Sequence, residues 1–305
     1  MTQSVMVHTV RAFVTPKGEG GNKAGVVAPS PELSPQDYQH VAKTMGHSET
    51  AFVLPPDTHK PGDFKVRFFT PTDEVDLCGH ATIGTFSHMA QTGQIKPGQY
   101  QQQTKAGVLD LEIDAQNTVW MTQAKPQFGE PLNTQQRAEV ADALQLTSSD
   151  LDDALPAQSI STGVKELFVP LKSLKALHSI QPDQQKILAL SKKHNVAGIY
   201  PFTQETQNRL HVAQGRNFLP ALGIPEESAT GVANGGLAAY LVKQQLVSPN
   251  VAQQGIILEQ GHAMDLPSEI QARVALNANG DIDHVKVGGR AIAENQTEVK
   301  LYALV

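Results

Sequence analysis

Cys78-Gly79-His80-Ala81-Thr82 sets a thiol and an imidazole beside a run of very small residues, and Glu49 opens an apolar run earlier in the chain. Small residues at a helix start let a ligand touch bare backbone N–H groups, where the helix dipole favours an anion. A stretch of the same design, Glu226-Glu227-Ser228-Ala229-Thr230-Gly231-Val232-Ala233-Asn234-Gly235-Gly236, lies in the other half of the chain. Two such helix starts can face each other across one anionic small molecule.

Each of these residues has a plain and a chemical interpretation. Glu49 is either an exposed loop carboxylate or a general acid/base, tuned by burial to take and give a proton near neutral pH. His80 either caps or packs the helix, or it shuttles a proton or holds a substrate carboxylate. Cys78 is a thiolate helped by the helix N-terminus or a small buried residue. As the single cysteine it leaves no intrachain disulfide and no multi-cysteine metal site. None of the eleven histidines stands in a His-Glu-x-x-His pair, and His47, two residues before Glu49, argues only weakly for zinc, so no metal is expected. Gly18-Glu19-Gly20-Gly21 lacks the phosphate-loop and Gly-x-Gly-x-x-Gly patterns and reads as a turn.

The elements that must position these groups follow from periodicity and turn chemistry. A strand over 5–14 is followed by a turn and an apolar run over 25–28. Ser34-Pro35 caps and starts a helix that ends near Gly46, and Glu49 then enters a strand over 49–54. A strand over 64–69 leads into the turn and helix at Cys78, which closes near Gly93, and three short alternating runs up to residue 123 suggest an antiparallel meander. The second half reruns this plan: a helix over 134–144, a strand over 166–171, a helix over 182–194, strands over 198–202 and 209–214, a helix from about 230 to 245, and strands over 256–259, 269–276 and 282–287. Asn279-Gly280 marks a hairpin. Repeated hairpins speak against a parallel dinucleotide-binding sheet. The expected fold class is α+β in two similar lobes, 1–122 and 123–305, with the last strand free to return to the first.

With 305 residues, 40% of them hydrophobic, the chain can fill two proper cores. Its formal charge of -6 is spread without long runs of one sign, which argues against nucleic acid and anionic membrane surfaces as partners. No apolar stretch approaches the roughly 20 residues of a membrane span. Met1-Thr2-Gln3-Ser4 does not open a signal sequence, so a cytoplasmic protein is expected.

Taken in order, Gly21-Asn22 with Val26-Val27, Ser48 to Val53, Phe69-Thr70-Pro71 with Glu74, Cys78 to Thr85, Gly223 to Glu226 with Ala229-Thr230-Gly231, and Val287-Gly288-Gly289-Arg290 resemble the PhzF-like family of phenazine-biosynthesis isomerases. The resemblance spans nearly the whole chain and implies the diaminopimelate epimerase fold: two similar α+β lobes, each a β-sheet wrapped around a central helix, with the active site in the cleft between them. It implies a cofactor-independent biosynthetic enzyme, and a homodimer, which is common in that family.

Carried over position by position, the family's catalytic glutamate falls on Glu49, and its substrate-binding glycine and histidine on Gly79 and His80. The acidic substrate-holding residue of the second lobe, usually aspartate, is Glu227 here, followed by Thr230 and Gly231. Ser228 replaces a proline and Val232 a serine, which bears on the substrate more than on the proton transfer. Two-base epimerases of this fold use paired cysteines. Here Cys78 occupies one position and Ser228 the other, so one glutamate moving a proton on a single face is the expected chemistry. Cys78 stays as a possible second acid/base. The alternatives are a one-thiol racemase or epimerase using Cys78, and a small-molecule-binding protein that kept the cleft and lost the chemistry.

Overall fold

Ser34 accepts a hydrogen bond from Asp37 N, Pro35 supplies the first helical residue, and the helix Pro35–Met45 stops at Gly46, as the residue types dictate. The structure is a computed structural model and describes residues 3–302. Met1 and Thr2, at the head of the N-terminal segment Met1-Thr2-Gln3-Ser4, lie outside the described residues. Two compact units divide the chain. One takes the sequence up to Thr122 together with that from Gly288 on, and the other is Gln123–Val287.

In the first unit, Ser4–Ala12 pairs antiparallel with both Asn22–Val27 and Ala291–Lys300. Gly21 makes the turn possible. Its φ is +86°, and a Cβ there would lie 2.7 Å from the Ala12 carbonyl oxygen. Asn22–Val27 runs parallel to Glu49–Leu54, with the helix Pro35–Met45 as the crossover. Glu49–Leu54 then pairs antiparallel with Phe64–Phe69. The meander Gly98–Thr104, Gly107–Ile113 and Val119–Thr122 completes the sheet as periodicity predicts. Against it packs the helix Gly79–Gln91, whose residues from His80 to Met89 are all buried. A helix apolar or small on every side is stable only when wrapped.

The second unit repeats the scheme. Lys165–Pro170 runs parallel to Ile199–Thr203, with the helices Leu174–Ser179 and Gln184–His194 in the crossover. Ile256–Gln260 pairs antiparallel with Ser268–Leu276. The central helix here is Gly231–Lys243, buried at Gly231 and from Ala233 to Val242. Burying side chains such as Leu237 and Leu241 contributes about 1.5–3 kcal/mol each. Small residues let neighbouring segments of the unit approach this helix: a Cβ on Gly235 would overlap the Gln123 side chain, whose Nε2 donates to Gly231 O at 3.0 Å.

Two expectations from the sequence are corrected, and one strand goes beyond those expected. The strand expected over 209–214 is Ala213–Gly215 followed by Asn217–Leu219. Buried Glu259 turns the preceding segment instead, accepting hydrogen bonds from Gln207 N and Asn208 N at 2.9 Å each and standing 2.8 Å from His211 Nδ1. The helix expected from 182 starts at Gln184, because Asp183 caps it by accepting from Gln185 N and Lys186 N. The strand beyond those expected is Ala291–Lys300, of which only Ala291 and Val299 are buried, so its sequence shows little of the apolar alternation that marks the others; it pairs with Ser4–Ala12.

Candidate active site

Glu49 is the first residue of its strand and lies opposite Ala24 in the parallel ladder, while its neighbour Thr50 is the first residue paired with Phe64–Phe69 on the other side. Its side chain is 16% exposed. Cys78 takes the N-cap position of the first central helix in extended conformation, with no side-chain cap bond, and Gly79 and His80 form the first turn. The first N–H groups of a helix have no intrahelical acceptor, so this turn offers donors to an anion.

Around His80 the expected residues come together. Its Nε2 lies 3.3 Å from Glu49 Oε2 and 3.1 Å from Ser48 Oγ, and its Nδ1 lies 3.4 Å from both Cys78 Sγ and Asn22 Nδ2. Among the described residues, Glu49 Oε2 is buried and accepts no hydrogen bond, the contact to His80 being close without hydrogen-bond alignment. A buried carboxylate oxygen left so is costly unless it serves a function. Glu49, Cys78 and His80 are also the one group among the described residues whose possible ligand atoms all lie within 4.8 Å of one another. That donor set suits a thiophilic divalent cation such as zinc. His47 stands apart, 3.0 Å from Thr9 Oγ1, and burial, followed by the charge of Lys23, holds its pKa below the usual range.

In the second unit, Glu227 ends the strand Ile224–Glu227, and Thr230 caps the helix that begins at Gly231. The Thr230 hydroxyl donates to Glu227 Oε2 at 2.6 Å and accepts from Asn217 Nδ2 and Gln260 Nε2 at 3.1 Å each. Gln260 Nε2 also donates to Glu227 O at 2.7 Å. Gln260 Oε1 accepts from Thr230 N at 3.2 Å and from Asn234 Nδ2 at 2.6 Å. Glu227, Thr230 and Gly231 therefore sit on a buried amide network that fixes the helix start. Neighbouring Glu226 has a structural part, pairing with Arg216 through two 2.8 Å hydrogen bonds. At Val232, the backbone is engaged, its carbonyl accepting from Thr162 Oγ1 at 2.9 Å.

Asn217, Asn234, Gln260 and Glu166 escape sequence reasoning. Asn217 and Gln260 belong to no motif, and Asn234 lies in the small-residue stretch of the second helix start without its type there signalling a network. Glu166 does leave a trace, as a carboxylate within an apolar strand: it is 1% exposed, and burial, reinforced by the charge of Glu227, pushes its pKa up to about 8.

Comparison with known proteins agrees with this architecture. Residues 10–297 match the family model PhzC-PhzF, described as phenazine biosynthesis-like protein. The chain is 34% identical to the uncharacterized isomerase YddE of Escherichia coli (strain K12), over 94% of this chain and 95% of that one. It is 30% identical to the trans-2,3-dihydro-3-hydroxyanthranilate isomerase of Pseudomonas fluorescens, over 85% and 91% respectively. Among solved structures, the PhzF-family phenazine biosynthesis protein of Bacillus anthracis superposes with a TM-score of 0.86 at 28% identity, covering 97% of this chain and 99% of that one. The fold class is α+β of the diaminopimelate epimerase-like kind, each unit carrying a sheet packed on its own central helix.

Proposed function

Because this chain belongs to the PhzC-PhzF, phenazine biosynthesis-like family, we propose that it is an isomerase that shifts a proton between carbons of a small carboxylate-bearing substrate, with Glu49 as the general acid and base. The observation that carries the assignment is Glu49 Oε2, buried, without a hydrogen bond among the described residues, and 3.3 Å from His80 Nε2. A carboxylate held like this can accept a proton from a C–H bond and return it to another carbon on the same face. His80 orients Glu49 and holds the substrate carboxylate, assisted by the backbone at Gly79. In the second unit, Thr230 and Gly231 offer a helix start of the same kind, and Glu227 beside it is assigned to substrate holding. Donors at such positions stabilise the charge that develops as the C–H bond breaks. The proton balance closes within Glu49, so the step calls on no cofactor.

The substrate is the finer question. Glu227 extends the carboxylate arm of the family pattern, Ser228 removes a proline and Val232 a hydroxyl, which favours an acceptor site different from that of the phenazine-type isomerases. The test is incubation in heavy water with trans-2,3-dihydro-3-hydroxyanthranilate and a panel of small cyclic and acyclic carboxylates. The expected result is carbon-bound deuterium in at least one compound, abolished in Glu49→Gln with binding largely retained; exchange that survives Glu49→Gln rejects the assignment. The 3.4 Å contact between Cys78 Sγ and His80 Nδ1 favours one competitor, a one-thiol racemase or epimerase. It predicts loss of exchange in Cys78→Ala and not in Glu49→Gln. Tight binding of a panel member without exchange in the unaltered protein would instead mark a binding protein.

A further inference from the structure

Glu166 takes no part in the proton transfer assigned to Glu49, yet it is the most anomalous carboxyl group in the second unit. It lies in the strand Lys165–Pro170, opposite Ile160 of the strand Gln158–Ser161. Leu167 and Val169 face the outer apolar cluster with Ile187 and Leu177. Glu166 shares the opposite face with Phe168, and that face is turned to the central helix, for a Cβ on Gly236 would come within 2.8 Å of the Phe168 ring. Among the described residues, neither carboxyl oxygen of Glu166 meets a hydrogen-bond donor in good alignment, although the Asn217 amide lies near enough to favour its charged form, and Oδ1 of fully buried Asn217 also lacks a partner. An ionised carboxylate in that position would have its charge desolvated with no aligned donor.

Among the described residues, the surroundings also bring no cation to it. The titratable groups that face Glu166 are Glu227, which repels a negative charge there, and Tyr200, whose own phenol is pushed up by burial and by Glu166. The central helix carries no charged residue before Lys243 at its far end. The strand Gln158–Ser161 is uncharged. Asn217 is the group beside it that offers N–H donors, and its Nδ2 already donates to Thr230 Oγ1 at 3.1 Å, which donates in turn to Glu227 Oε2.

We propose that Glu166 is held as a neutral carboxylic acid, and that in this form it leaves the Asn217 amide to hold Thr230 against Glu227. Glu166 is thus a positioning residue for the second helix start, acting through Asn217. Ionisation would set Glu166 and Glu227 against each other as two negative charges and pull the second Asn217 N–H, the one not on Thr230, toward the new carboxylate, turning the amide and loosening its grip on Thr230. The elevation of the Glu166 pKa to about 8, by burial first and Glu227 second, with Asn217 working in the opposite direction, agrees with this arrangement. The proposal rests on Thr230 and Glu227 being substrate-holding residues, but its test needs no substrate.

Carbon-13 label at the glutamate side-chain carboxyl carbons allows direct titration in the full-length protein. The Glu166 resonance is identified by its disappearance in Glu166→Gln or, should that variant not fold, in Glu166→Asp. It is expected to titrate with a midpoint near 8. The Asn217 side-chain amide resonances should move with that same midpoint, and stay still in Glu166→Gln. Removing the like charge in Glu227→Gln should shift the midpoint toward acid. A Glu166 carboxyl that ionises in the ordinary glutamate range, or an Asn217 amide that ignores the titration, would overturn the proposal. Neither result would touch the deuterium-exchange test of Glu49, so the two can fail separately.

Discussion

Thr230 donates its hydroxyl to Glu227 Oε2 at 2.6 Å, three residues back along the chain and across the turn that starts the second central helix. The Glu227 side chain thus folds back onto this cap. Thr230→Val keeps the shape but removes the donor to Glu227 and the acceptor for Asn217 and Gln260. A loss of about 1–3 kcal/mol is expected from groups left unpaired in a buried place, measured by urea denaturation, with Thr230→Ser recovering most of it. An unchanged midpoint in Thr230→Val would mean the network contributes nothing to the helix start.

Cys78→Ala separates thiol from carboxylate chemistry. With Glu49 as the moving base, deuterium exchange in the alanine variant stays within about tenfold of the unaltered protein, whereas loss of a general acid/base costs roughly 10²–10⁴-fold. A drop of the second size, read by mass spectrometry of the same substrate, would transfer the proton to the thiol.

Gly235→Ala probes the approach of Gln123 to the central helix. The added Cβ would overlap the Gln123 amide that donates to Gly231 O, so the side chain must leave and its bond is lost. Overpacking of this sort costs about 1–3 kcal/mol, and shortening the obstacle in the double variant Gly235→Ala, Gln123→Ala should recover part of the denaturation midpoint. Non-additivity of the two changes is the informative quantity.

The pH dependence of stability should reveal Glu74. Hydrogen bonds from Arg67, Nε to Oε1 at 2.8 Å and Nη2 to Oε2 at 3.0 Å, hold its carboxyl below the usual range, with Lys105 adding its charge. A carboxyl depressed in the folded state stabilises above its unfolded pKa and loses that contribution as pH falls through the folded value. Glu74→Gln should therefore be less stable than the unaltered protein at neutral pH, with the difference shrinking below about pH 4.3. A difference that stays constant down to acid unfolding would assign the effect to packing alone.

Much of this architecture is legible in the residues themselves. Glu49–Leu54 and Phe64–Phe69 coincide with the expected strands, because apolar runs bounded by turn residues leave little choice. The helix starts at Gly79 and Gly231 follow from their small residues. The proximity of Glu49, Cys78 and His80 is a different matter, since no periodicity specifies which strand end meets which helix start, and there the ordered motifs of a family supply what local physics cannot. The network of Asn217, Asn234 and Gln260 escapes both kinds of reading. Its members act only after strands far apart in sequence have paired, and isolated Asn and Gln residues look like surface or turn polarity. Glu166 is hidden by its position near the head of an apolar run, where a charge is ordinarily taken for a strand edge.

The pairing of Ser4–Ala12 with Ala291–Lys300 has a consequence for synthesis on the ribosome. Ser4–Ala12 is synthesised before Gln123–Val287 and its partner Ala291–Lys300 after it, so that edge of the first unit stays unpaired until the whole second unit has been made. Gln123–Val287, by contrast, has all its residues in hand before that closing strand appears. A domain that closes over so long a stretch of chain is slow to form and exposed to aggregation. Ribosome-stalled chains ending after Val287 should accordingly carry a protease-resistant second unit beside a first unit that is still readily cleaved.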